Sequence, residues 1–267
     1  MLSKLIKYDF KKIVKVPAVF FVLSLVCAGF SRLFNELAVH GMFFSIVGII
    51  FTSIEYALMA NVLIQPIVRI LTEFGKRMYG DESYLSHTLP VTKTQLLLSK
   101  SISAVLLMLM AFASVILSVF ILFYSKSNVQ VLNNFIQGSF GNSVSSGVIL
   151  TLVIFVLLAE FLFLISIIFS AIILANKSND RKLLKGFVYT LVFQFLATIL
   201  MIVVLVVVAA CMGELNLLFT SESSYHQISG SNIMLATLIT GLLCYLSMAV
   251  VFFFVSNKLL KKGVNVA

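Results

Sequence analysis

GVILTLVIFVLLAEFLFLISIIFSAIILA, residues Gly147–Ala175, is followed directly by NKSNDRKLLK, residues Asn176–Lys185. The first stretch holds a single ionisable residue, Glu160, in a run long enough to cross a hydrocarbon core of about 30 Å, which takes roughly 20 helical residues. The second holds Lys177, Arg181, Lys182 and Lys185 and therefore marks one side of that core. Working outward, five more runs of the same kind appear at Val16–Phe34, Gly41–Leu71, Ser101–Tyr124, Gly186–Met212 and Ile233–Ser256. The expected fold is all-α and polytopic, with six transmembrane helices in one domain spanning residues 1–267.

The cations give the orientation. The N-terminal tail carries Lys4, Lys7, Lys11, Lys12 and Lys15, and the connection between the second and third runs, with its flank, carries Arg69, Lys76, Arg77, Lys93 and Lys100. With the Asn176–Lys185 segment and Lys258, Lys261 and Lys262 of the C-terminal tail, one side has 17 of the 19 Lys and Arg residues, against Arg32 and Lys126 on the other. Because Lys and Arg resist translocation, the rich side is expected to be cytoplasmic, with both termini inside. A composition 61% hydrophobic and only 11% charged excludes an ordinary soluble domain. In that setting the net charge of +9 reflects topology and anionic headgroups and does not imply nucleic-acid binding.

Local patterns refine the reading. Leu2, Leu5, Ile6, Phe10, Ile13 and Val14 recur at helical spacing with lysines on the remaining arc, which predicts a basic amphipathic helix over residues 1–15 on the inner leaflet, before Pro17 opens the first span. The basic region is long and no small-residue cleavage site follows Phe30, so this segment is expected to be mature structure and not a leader. Cys27, Cys211 and Cys244 all lie in apolar runs, without disulfide or metal spacing, and are read as packing residues. On the opposite side, Val129, Val131, Leu132, Phe135 and Ile136 fit either an interfacial helix or an ordinary loop.

The longest cytoplasmic connection, residues 72–100, mixes charges with Tyr79, Tyr84, Leu85, Leu89 and Val91, apolar side chains that a purely solvated loop does not need. Asp81 after Gly80 is a good N-cap for a short helix from Glu82, which Leu89-Pro90 must end. Thr92 with Gln95 three residues on is a capping box that opens a helix through Lys100 into the third span.

The stretch Asp81-Glu82-Ser83-Tyr84-Leu85, then Thr88-Leu89-Pro90-Val91-Thr92, Gln95-Leu96 and Lys100, resembles the first cytoplasmic loop of type-2 ATP-binding-cassette permeases, six-span export subunits. The motif covers about twenty residues, and the inside termini and N-terminal amphipathic helix resemble that family too. The resemblance implies a permease paired with a second copy or a paralogue and with cytoplasmic ATPase subunits, in a bacterial plasma membrane. It implies that Tyr79, Gly80, Asp81, Glu82, Tyr84, Leu85, Leu89 and Pro90 form an ATPase-coupling loop. No Gly-x-x-x-x-Gly-Lys-Ser/Thr loop is present, so ATP and magnesium would be bound by the partner and this chain would need no cofactor. The cargo expected from the resemblance and the apolar bundle is an amphipathic peptide, a lipid-like compound or an antibiotic.

Two carboxylates lie deep in the runs. Glu55 and Glu160 are each twelve residues inward, counted from Phe43 and Val148. A charged centre costs about 2.5–3.5 kcal/mol on insertion scales, and the twelve Val, Ile, Leu and Phe residues between Phe43 and Ile64 return roughly 4–7 kcal/mol, so the second run still inserts. Ser45, Gly48, Thr52 and Glu55 share one small-polar face, which turns Glu55 toward the bundle or a dimer seam, while Glu160 has no such stripe. These two are candidates for lining a substrate path, or else a protonated or hydrogen-bonded packing pair. In an ion-coupled secondary transporter they would be the relay, and a passive membrane immunity protein is a further alternative. Catalysis and a metal site are not expected, because His40, His87 and His226 are scattered and no hydrolase or His-Glu-x-x-His motif occurs.

Overall fold

A computed structural model describes residues 2–79, 92–124, 126–140, 145–176, 182–212 and 227–261. Helix α1 runs Leu2–Leu37 and leads through a short 3-10 turn, Ala38–His40, into α2, Met42–Tyr79. Helices α3 (Lys93–Phe123), α4 (Lys126–Phe140), α5 (Ser146–Ala175), α6 (Lys182–Cys211) and α7 (Gln227–Lys261) follow. All but α4 are long and apolar enough to cross a membrane, so six candidate spans coincide with the six apolar runs, and no strand occurs among the described residues.

The helices form two compact units, α1 to α3 and α4 to α7. In the first unit α1 is the middle helix. Its buried face, Asp9, Ile13, Pro17, Phe21, Ser24, Ala28 and Ser31, recurs every three or four residues and lies along α3. The facing stripe of α3 is rich in small residues, Ser99, Ser103, Ala104, Ala111, Ser114 and Ser118, all buried. Small side chains let two helices approach closely where lipid offers no hydrophobic drive to association. Ser114 donates to the Phe21 carbonyl at 3.4 Å and Arg32 to the Ile121 carbonyl at 3.2 Å. Since partners rise together along both chains, α1 and α3 run parallel. The other side of α1 meets α2, where Phe51 stacks on Phe34 with ring centres 5.3 Å apart.

The second unit repeats this plan with different chemistry. Here α5 is the middle helix, packed along α7 and against α6. Phe163 is fully buried, with ring centres 5.8 Å from Tyr245 and 5.9 Å from Phe252, while Phe193 lies 5.4 Å from Phe252. One turn-pair further on, Ser170 donates to the Phe252 carbonyl at 3.0 Å and sits 2.7 Å from the Ser256 hydroxyl. Partner numbers again rise together, so α5 and α7 are parallel.

Two expectations are corrected. Residues 1–15 do not form a helix separate from the first span: α1 passes through Pro17 without a break. Proline removes one bond to the carbonyl four residues back, and the face that reaches α3 continues on both sides of it, so packing outweighs the lost bond. At about 1.5 Å per residue, the 36 residues of α1 measure roughly 54 Å, well beyond a 30 Å core. Likewise Thr72–Tyr79 is not loop but the end of α2, and α3 starts at Lys93 on the expected capping box. Residues 126–140, left open between helix and loop, form α4.

Candidate functional site

On α2 the face of Ser45, Gly48, Thr52 and Glu55 turns inward: Gly48 and Glu55 are buried and the other two partly so. The Thr52 hydroxyl donates to the Gly48 carbonyl, which keeps that polar group satisfied within the helix. Glu55 is 0% exposed. Ser24 of α1 donates from Oγ to Glu55 Oε1 at 2.8 Å, and Ser24 Oγ lies 2.9 Å from Ser118 Oγ of α3, so three helices contribute to one polar knot. Glu55 Oε2 is buried and has no hydrogen-bond partner among the described residues.

Gly48 makes this approach possible two turns away. A Cβ there would stand 2.5 Å from Asn35 Oδ1 and 3.4 Å from the Asn35 backbone nitrogen. A carboxyl with one filled and one unfilled oxygen, surrounded by hydroxyls in an apolar bundle, can pass or hold a proton, or accept a donor from a bound cation. No group of three or more His, Cys, Asp or Glu side chains capable of holding a metal occurs among the described residues.

A second polar cluster lies at the lysine-rich ends of the same three helices. Asp9 is only 4% exposed and accepts from Ser99 Oγ at 2.8 Å, with Lys100 beside Ser99 in sequence and likewise buried. Ser103 donates to the Ile6 carbonyl at 3.3 Å. Lys12 Nζ is 3.8 Å from Glu73 Oε2, and Arg69 reaches the same carboxylate at 3.6 Å. Ile13, Ile70, Phe74, Leu96 and Leu97, on the same stretches of the three helices, are buried. Together they make a packed stem that extends the bundle past the apolar stretch. Lys4, Lys7, Lys11 and Lys15 stand exposed along the outer face of α1.

This stem holds both ends of the 72–100 connection. On one side Thr92 accepts from the Gln95 backbone N–H at 3.3 Å while Gln95 Oε1 accepts from the Thr92 N–H at 3.3 Å, a complete capping box. On the other, Tyr79 is the last residue of α2. Gly80, Asp81, Glu82, Tyr84, Leu85, Leu89 and Pro90 lie outside the described residues.

Glu160 belongs to the other unit and is only partly buried, within electrostatic reach of Tyr245. Sequence reading singled out Glu55 and missed its partners. Ser24, Ser118, Asp9 and Ser99 were legible in principle, since the serines of α3 at 99, 103, 114 and 118 recur on one helical face. Compared with known proteins, the chain matches no family model, no curated protein and no solved structure.

Proposed function

We propose that this chain is the membrane permease of an ATP-driven exporter of the type-2 ATP-binding-cassette kind, working with a second permease and separate ATPase subunits in a bacterial plasma membrane. Both termini and the 72–100 connection face the cytoplasm, and the cargo is an amphipathic peptide, a lipid-like compound or an antibiotic. The observation that carries this reading is the stem. Helices α1, α2 and α3 continue beyond their apolar stretches and are tied by Asp9–Ser99, Lys12–Glu73 and the buried apolar residues among them. A connection mounted on rigid helix ends transmits displacement to the spans, whereas a connection hung on frayed ends would absorb it. In this mechanism an ATPase grips the segment Tyr79–Leu89, and its closure tilts α2 and α3 together with α1.

The test is purification of the tagged chain from its native membrane in mild detergent. A stoichiometric ATPase subunit that is lost on Leu89→Asp or Tyr84→Ala supports the reading. A chain recovered alone, with transport intact in both variants, overturns it.

Burial of Glu55 with one unfilled oxygen favours a second reading, an ion-coupled transporter with Glu55 as the relay. The two readings separate in vesicles that contain this chain and no ATPase. Gradient-driven uptake abolished by Glu55→Gln and indifferent to Leu89→Asp would establish the second at the expense of the first.

A further inference from the structure

Among the described residues α4 is the one long helix that cannot cross a membrane, and its exposed apolar side chains lie on one half, which also carries the exposed Asn128 near the helix start. Fifteen residues make about 22 Å of helix, short of a 30 Å core. Val131 is 66% and Phe135 70% exposed, with Leu132 and Val129 also exposed on the same half of the helix. Gln130, Asn134 and Gln137 are exposed on the other half, and the helix contains no acidic residue. Ile136, on the apolar half between Leu132 and Val129, is buried, and α4 packs on α7.

Chain length fixes the depth. Two residues separate the end of α3 at Phe123 from the start of α4 at Lys126, three steps of chain with a reach of at most about 11 Å, and five residues separate Phe140 from the start of α5 at Ser146. The span that precedes α4 and the span that follows it open on the same membrane surface, so both ends of α4 are tethered at headgroup level. An amphipathic helix held there has its apolar arc within reach of acyl chains.

We propose that α4 is a lipid-seated helix, with Val131, Leu132 and Phe135 buried among the acyl chains of the leaflet opposite the lysine-rich side and Gln130, Asn134 and Gln137 facing water. The packing of α4 on α7 then couples that leaflet to this span. The proposal is independent of the exporter reading, because it needs only the six spans.

The chain has no tryptophan, so a single introduced one is a clean reporter. Phe135→Trp and Gln130→Trp, both at exposed positions, are reconstituted in phosphatidylcholine vesicles with or without brominated acyl chains, and Val131→Trp repeats the apolar-face measurement. The expected result is emission from Phe135→Trp and Val131→Trp quenched several-fold by brominated lipid and shielded from aqueous acrylamide, with Gln130→Trp showing the reverse. Apolar-face reporters open to acrylamide and unaffected by bromine would overturn the proposal by putting α4 in water. Reporters shielded from both quenchers, and opened to acrylamide when the protein is diluted with excess lipid, would overturn it in favour of a second copy covering the face.

Discussion

A carboxyl group among three packed helices depends on its neighbours for hydrogen bonds, and Glu55 draws on residues 31 and 63 positions away in the chain. Ser24 donates to it directly, and Ser118 holds Ser24 in place. Removing the donor leaves both carboxyl oxygens unfilled, so Ser24→Ala is expected to lower stability by about 0.6–1.7 kcal/mol, from the average to the maximum of interhelical bonds measured by double-mutant cycles in a membrane protein. Glu55→Gln keeps an acceptor for Ser24 and removes the ionisable group, so its fold should be close to native. Thermal unfolding of the detergent-solubilised variants checks both, and equal losses for the two would mean that the bond contributes nothing distinct. At the stem, Asp9→Ala strands the buried Ser99 hydroxyl and is expected to cost about 1–3 kcal/mol, with Asp9→Asn milder because an acceptor remains. Such a loss should appear in the same melts, and no loss would show that the stem is held by its apolar residues alone.

At the scale of elements, helix ends were decided by packing more than by local signals. The proline at 17 suggested a helix start, yet α1 continues through it because Asp9 and Ile13 on one side and Phe21 and Ser24 on the other belong to one buried face. Thr72 and Glu73 looked like loop, but Phe74 is buried and Glu73 pairs with Arg69 one turn back, so α2 goes on to Tyr79. Where the local signal was complete it held: Thr92 and Gln95 start α3 as their capping box predicts. Thr92→Ala should therefore cost about 1 kcal/mol while Thr92→Ser is neutral, a comparison read from paired melts. Gly48 marks the close approach of α1 and α2. Gly48→Leu must push Asn35 aside and is expected to cost about 1–3 kcal/mol by overpacking, with Gly48→Ala less damaging because the Asn35 side chain can swing away.

Across the whole molecule, three spans fall in each unit, and in each the first span is central and runs parallel to the third. Residue-level placement of the sides is tested by labelling in intact cells. In a background with Cys27, Cys211 and Cys244 replaced by Ala, Ser3→Cys is expected to react with an impermeant thiol reagent only after the membrane is opened. Gln130→Cys should react without opening. The opposite pattern would invert the orientation and remove the cytoplasmic site for an ATPase.

The chain by itself determined that the molecule is helical and how many helices can cross a membrane, because apolar runs and their punctuation are local properties and hydrocarbon imposes a minimum length on each. Turning Glu55 inward was also legible, since Ser45, Gly48 and Thr52 share its face. Only the tertiary structure decided that Ser24 and Ser118 complete the polar knot, that Asp9 is buried against Ser99, and that α1 and α2 extend into a stem. Those features come from matching small-residue faces on helices distant in sequence, and no window of neighbouring residues contains that match.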